Sequence, residues 1–305
     1  MSKNILITGG TGFIGRELCR QLLERGDTLT ILSRQAPETV KAVCGRVQCV
    51  SNLTELRDHQ GFSAVINLAG EGIAEKRWTA ARKQALRDSR IALTETLVQV
   101  MQSWSKSPEV LVSGSAVGFY GDQGDHTVNE DTQPRDEFTH QLCRDWENAA
   151  GAARDLGVRV CVSRTGLVVG PGGGFLQRMV PPFRFGLGGR LGSGTQYMPW
   201  VHRADVVNAL IWMLDHASAS GAYNVVSPDP VTNREFTATL GKVLHRPTPF
   251  PAPAMALKLA LGEMAGLLLT GQRAIPYRLS DEGFRFEFPE LQTALEDALR
   301  RGTTA

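Results

Sequence analysis

The octet Thr8-Gly9-Gly10-Thr11-Gly12-Phe13-Ile14-Gly15 constrains this chain more than any other stretch, because the apolar run Ile5-Leu6-Ile7 precedes it and a helical pattern from Arg16 to Arg25 follows. The run reads as a short buried strand, and Phe13, Leu18, Leu22 and Leu23 fall at helical spacing behind it. A strand, a tight glycine turn and a helix N-terminus, in that order, make a cradle for a dinucleotide pyrophosphate. Gly9 can take the angles of the turn, Gly12 lets the main chain approach the phosphates, and Gly15 allows the helix to pack closely on the sheet. With Thr8, Phe13 and Ile14 these residues form the expected cofactor loop.

The next strand, Thr28 to Leu32, ends in Ser33-Arg34, with neither Asp nor Glu at the position that would bind a ribose 2′-hydroxyl. An arginine there suits a 2′-phosphate, so the expected cofactor is NADP rather than NAD. Further apolar runs, Val47 to Val50 and Ser63 to Leu68, alternate with helical segments, which predicts an α/β fold with a Rossmann-type, doubly wound parallel sheet. Leu68, Ala69 and Gly70 stand at a strand's carboxyl end, where small residues let a cofactor ribose come close.

Composition excludes several classes. The formal net charge of +2 and the absence of a basic run argue against a nucleic-acid partner. Five scattered cysteines without a Cys-x-x-Cys indicate reduced thiols, with neither a disulfide framework nor a metal site. A strand beginning within a few residues of Met1 leaves no room for a targeting peptide, so a cytoplasmic location is expected. The apolar stretch from Ala254 to Leu269 is interrupted by Lys258, Gly262, Glu263 and Gly266 and is too short to span a membrane. It reads as a lobe helix, with a homodimer face as the alternative.

Past the fourth strand, Glu71, Lys76, Arg77 and Trp78 form a mixed set that could grip a substrate or supply an acid or base, or could be an ordinary surface loop. Thr79 is expected to cap a long helix running to about Trp104. A fifth strand, Pro108 to Ser113, then enters Gly114-Ser115-Ala116-Val117-Gly118-Phe119-Tyr120-Gly121. By this point the chain resembles the extended short-chain dehydrogenase/reductase superfamily, the sugar-nucleotide epimerase and dehydratase group. The resemblance rests on Thr8 to Gly15, Asn67 to Gly70 and Ser113 to Gly121. It implies that Ser115 hydrogen-bonds a substrate hydroxyl or carbonyl.

A departure follows. Members of that group carry Tyr-x-x-x-Lys, in which the lysine lowers the tyrosine pKa for proton transfer. This chain reads Phe138-Thr139-His140-Gln141-Leu142-Cys143, and neither the Phe138/Leu142 nor the Thr139/Cys143 register supplies the pair. Asn67 to Glu71 with Arg77-Trp78, Phe138 to His140 with Trp146-Glu147, and the Pro182-Phe183-Arg184 stretch are similar to the bacterial YfcH-like epimerase-family proteins, as is the C-terminal region from about Pro247. Three residues could move a proton instead: His140, which titrates near neutrality, Tyr120 and Glu71. His140 could equally be a helix-end residue, and Tyr120 a pocket wall.

The resemblance places Arg164 and Gly166, with the following Gly-Pro element, beside the nicotinamide. The expected division is an NADP-binding domain over residues 1–170, completed by strands returning at about 200–230, and a smaller C-terminal substrate lobe over 171–305. The glycine-rich stretch from Met179 to Gly194 is expected to wrap a ligand, with Arg184 and Arg190 pairing a phosphate or carboxylate. Trp200 joins Arg77 and these arginines in the expected substrate set. Asp205 is expected to cap a returning helix and His202 to be structural. Two functions follow: an NADP-dependent oxidoreductase or epimerase acting on a small polar or nucleotide-linked substrate, or an NADP(H)-binding sensor or scaffold that has lost the usual chemistry.

Overall fold

The computed structural model describes residues 2–300. Its centre is a seven-stranded sheet, parallel throughout. In chain order the strands are β1 (Asn4–Thr8), β2 (Thr28–Leu32), β3 (Gln48–Val50), β4 (Ala64–Asn67) and β5 (Val110–Ala116), then Arg159–Thr165 and Gly221–Val225. Across the sheet they run β3-β2-β1-β4-β5, followed by the sixth and seventh. The order reverses between β1 and β4, and a crevice opens at their carboxyl ends.

Alternation along each strand sends side chains to two cores. Ile5, Ile7, Ile66 and Val112 pack with Leu18 and Leu22 of α1 (Gly15–Glu24) and with Leu210 and Met213 of the helix Arg203–Asp215. Leu6, Val65 and Leu111 face the other way, against Leu97, Val98 and Met101 of the helix Leu93–Gln102. Each such buried aliphatic contributes about 1.5–3 kcal/mol relative to exposure, which fixes the register of every strand.

Thr79 caps its helix as expected, its hydroxyl accepting the Arg82 N–H at 3.1 Å. That helix, Ala80–Arg87, continues through a π turn at Asp88–Ala92 into Leu93–Gln102. Such turns are frequent at functional sites, and this one borders the hollow beside the glycine loop.

A third core, built on Leu176, Phe183, Trp200, Phe236 and Leu295, holds the C-terminal lobe. The glycine-rich stretch differs from its expectation. Gly174–Arg184 is a helix despite Pro181 and Pro182, and the loop after it packs on Phe250 to Ala252 and touches the crevice through Leu191. A Cβ on Gly189 would stand 1.8 Å from the Phe250 carbonyl oxygen, so this close approach accounts for that glycine.

His202, and not Asp205, caps the Arg203 helix through the Ala204 N–H. Asp205 is fully buried and accepts the Glu287 and Phe288 N–H groups at 2.6 and 3.0 Å, tying the C-terminal segment to the Arg203 helix. Ala254–Leu261 buries none of its residues, leaving Met255 and Leu259 exposed. Among the described residues no helix is long and apolar enough to cross a membrane.

Candidate functional site

Two adjoining hollows lie along the carboxyl edge of the sheet. The first, about 590 Å³, is lined by Thr8, Gly9 and Gly12 of the glycine loop, Ser33 and Arg34 after β2, and Leu68 to Glu71 after β4. Gly9 has φ +72°, and a Cβ there would meet the Leu68 carbonyl oxygen at 2.6 Å. A Cβ on Gly15 would lie 2.2 Å from the Gly9 oxygen, so the helix start can press against the turn only because it lacks one. Gly12 has a single such neighbour, the Gly9 oxygen at 3.2 Å, and otherwise faces the cleft. No side chain caps α1; the Arg16 N–H donates to the Gly12 carbonyl at 3.0 Å, and the positive end of the helix faces the turn where an anion would lie. These features fit a dinucleotide pyrophosphate.

Below the cleft a polar network fixes β1 against β4. The Thr8 hydroxyl donates to Asn67 Oδ1 at 2.6 Å and accepts the Ala69 N–H, while Asn67 Nδ2 donates to the Thr94 and Ser113 hydroxyls. Thr94 also accepts from the Trp146 indole. Phe13 and Ile14 do not line the cleft. The Phe13 ring lies against Gly173 and Gly174 and under the Arg203 guanidinium, anchoring the turn that opens the lobe. Arg34 is exposed and makes no ion pair among the described residues. Glu71 reaches the cleft, but its carboxylate is paired with the buried Arg82, and its carbonyl accepts from Arg90. Gly70 is the surface on which the Arg90 guanidinium rests.

The second hollow, about 470 Å³, lies between the sheet edge and the lobe. Thr139 and Cys143 both line it, whereas Leu142 is buried elsewhere, so the Thr139/Cys143 register faces the crevice. Burial pushes the Cys143 thiol up to about 11, opposed by hydrogen bonds from Ser115 and the Ala116 backbone. A neutral thiol therefore stands at the place expected for a lysine cation. Alkylation of Cys143 near pH 8 will accordingly run about a hundredfold slower than that of a free thiol, as peptide mapping with iodoacetamide would measure.

Ser115, Tyr120 and His140 sit just outside this wall. Ser115 donates to Glu147 Oε1 at 2.7 Å, and Glu147 in turn holds Arg164 by two bonds of 2.9 Å. Arg164 lies 3.5 Å above the Phe119 ring and donates to the Tyr120 hydroxyl. Tyr120 is fully buried, and its phenol, raised to about 12 by desolvation against the pull of Arg164, donates to Asn224. His140 is buried with Nδ1 2.7 Å from the Phe119 carbonyl. Neither Tyr120 nor His140 reaches the crevice, because tertiary partners hold both inside the protein.

The expected substrate set is similarly dispersed. Trp200 belongs to the lobe core, its indole donating to the Asp229 carbonyl. Arg184 lies on a different surface hollow beside Lys242 and Glu296, and Arg190 and Arg77 are exposed outside the crevice wall. Gly166 does line the crevice; a Cβ there would stand 2.0 Å from the Pro199 carbonyl oxygen. The wall also contains Gln196 to Pro199, Leu267, Leu268 and Thr270 to Gln272, which no local motif singles out. Thr139, Cys143 and Glu147 could have been read together, since they repeat every four residues on one helix face.

The family model described as "NAD dependent epimerase/dehydratase family" matches residues 5–226. The chain belongs to this family. A second model, "Domain of unknown function (DUF1731)", matches residues 252–298. Within the epimerase/dehydratase family the chain is 41% identical over 299 residues to "Epimerase family protein Mb2239" of Mycobacterium bovis, covering 97% of this chain and 98% of that one. The crystal structure of the human epimerase family protein SDR39U1 (isoform 2) with NADPH superposes with a TM-score of 0.87 at 33% identity, over 99% of this chain and 100% of that one. A nucleoside-diphosphate sugar epimerase from Corynebacterium glutamicum gives 0.79 at 29% identity, over 98% of this chain and 58% of that one. The nicotinamide-cofactor fold is thus a property of the family, and the residues of the first hollow fit it.

Proposed function

We propose that this family member is an NADP(H)-dependent oxidoreductase acting at a carbonyl or carbinol carbon held in the crevice. The observation that carries the cofactor choice is Arg34, an exposed cation without an ion pair at the end of β2. The NADPH in the human relative's structure supports the same choice. A bound nicotinamide would supply hydride chemistry. The loop after β4 borders both hollows, through Glu71 on one side and Ile73 on the other. Within the crevice the Thr139 hydroxyl, without a hydrogen bond among the described residues, can donate to a substrate oxygen.

Arg34→Asp tests the reading. NADPH affinity will fall by about tenfold or more, the value of one lost charge-assisted bond, while NADH affinity stays within about twofold. Fluorescence titration of both nucleotides measures this; equal losses for the two would remove Arg34 from 2′-phosphate recognition. A second reading, a non-catalytic NADP(H) sensor or scaffold, is favoured by Thr139 and the neutral Cys143 in place of a tuned phenol. Tight NADPH binding without consumption across a broad carbonyl panel would support it.

A further inference from the structure

The crevice is built for a different ligand from the one that the epimerase/dehydratase name suggests. Ile73, Trp78, Val117, Phe138, Phe175 and Met198 are among the apolar residues of its wall, and no Arg or Lys lines it among the described residues. A nucleoside diphosphate carries two phosphate charges, which sites of that kind meet with guanidinium or ammonium groups. Arg77 is exposed against Gly262 and lies outside the wall, and three other nearby cations are engaged elsewhere. Lys83 is paired with Glu263 and lies over the Phe138 ring, Arg178 donates to the Ala74 carbonyl at the rim, and Arg273 lies over the Tyr197 ring. The charged side chains that do line the crevice are acids, Glu263, which Lys83 neutralises, and Glu137.

The polar groups of the wall are mostly committed as well. Gln196 donates to the Leu191 and Leu268 carbonyls, Asn233 accepts the Leu191 N–H, and Gln272 donates to the Gly121 carbonyl. The hydroxyls of Thr139 and Tyr197 remain without a hydrogen bond among the described residues. Two free hydroxyl donors in an apolar enclosure match one neutral carbonyl group better than a sugar, whose many hydroxyls would each need a partner.

We infer that the substrate is an uncharged, predominantly apolar ketone or aldehyde, held by the apolar wall with its carbonyl oxygen at the Thr139 and Tyr197 hydroxyls, and not a nucleotide-linked sugar. This inference rests on the nicotinamide-binding reading above.

The test loads the full chain with NADP⁺ and titrates acetophenone against UDP-glucose by isothermal titration calorimetry. Acetophenone is expected to bind at least about tenfold more tightly than UDP-glucose. Leu267→Lys, which puts a cation into the wall, is expected to weaken acetophenone by about tenfold or more while NADP⁺ affinity stays within about twofold. If that variant loses NADP⁺ as a sign of misfolding, Thr139→Val replaces it, with about a fivefold loss of acetophenone expected. UDP-glucose binding as tightly as acetophenone, no acetophenone binding, or an unchanged affinity in a folded wall variant would each overturn the substrate class. Failure of NADP⁺ to bind the unaltered chain would instead overturn the cofactor reading beneath it, and the inference with it.

Discussion

Replacing Glu147 by Ala will lower the unfolding free energy by about 3–5 kcal/mol, among the largest effects of any single substitution near the crevice. The carboxylate has a side chain only 13% exposed and holds an Arg164 guanidinium that is 7% exposed. Burial drives that guanidinium towards its neutral form, and Glu147 more than offsets this, keeping it above the ordinary arginine range. Without Glu147 the cation stays buried with Tyr120, the Glu130 carbonyl and the Phe119 ring as its remaining partners, and Ser115 loses its acceptor. An uncompensated buried charge is the costly state, so removing both members should be milder than removing one. Glu147→Leu combined with Arg164→Met will recover all but about 1–2 kcal/mol of the loss. Urea unfolding of the unaltered chain, the Glu147→Ala variant and the double variant measures both values. A single-variant loss below about 1 kcal/mol would mean that the pair behaves like a solvated surface pair.

That network also marks where local sequence stops being informative. Ser115, Tyr120 and His140 are groups that can donate or move a proton, and their residue types are all that the sequence exposes. What each does depends on Glu147, Asn224 and the Phe119 carbonyl, which the chain brings to them from 32, 104 and 21 residues away. Arg184 and Arg190 lie outside the crevice wall for the same reason: a cation after a glycine run has no local feature that chooses between crevice and solvent. The parallel sheet was legible because each strand is a continuous apolar run, while its seven-strand order depends on crossovers that no single run encodes. The π turn at Asp88–Ala92 buries none of its residues, so no apolar position marks it in the sequence.

The glycine loop was legible because its constraints are local, and the individual glycines can be separated by experiment. Gly9→Ala will cost about 3 kcal/mol of stability, since alanine is strained at φ +72° and its methyl would collide with backbone atoms of Leu68 and Ala69 that cannot rotate away. Because those atoms belong to the loop after β4, the methyl also pushes apart the two sides of the cofactor cleft, and NADPH binding falls with stability. Gly26→Ala is the control: its φ of +87° is equally unfavourable, but nothing lies within 4 Å of the added methyl. It will cost about 1 kcal/mol and leave NADPH affinity unchanged. Gly12→Ala should separate the properties in the opposite direction. Its φ is not in the positive region and its one protein neighbour lies at 3.2 Å, so stability changes by less than about 1 kcal/mol. The methyl then occupies the space through which the main chain would meet a pyrophosphate, and NADPH affinity drops by about tenfold or more. Thermal unfolding with and without NADPH reads both quantities on each variant. If Gly12→Ala binds NADPH as tightly as the unaltered chain, the loop is a tight turn between strand and helix and not a phosphate cradle.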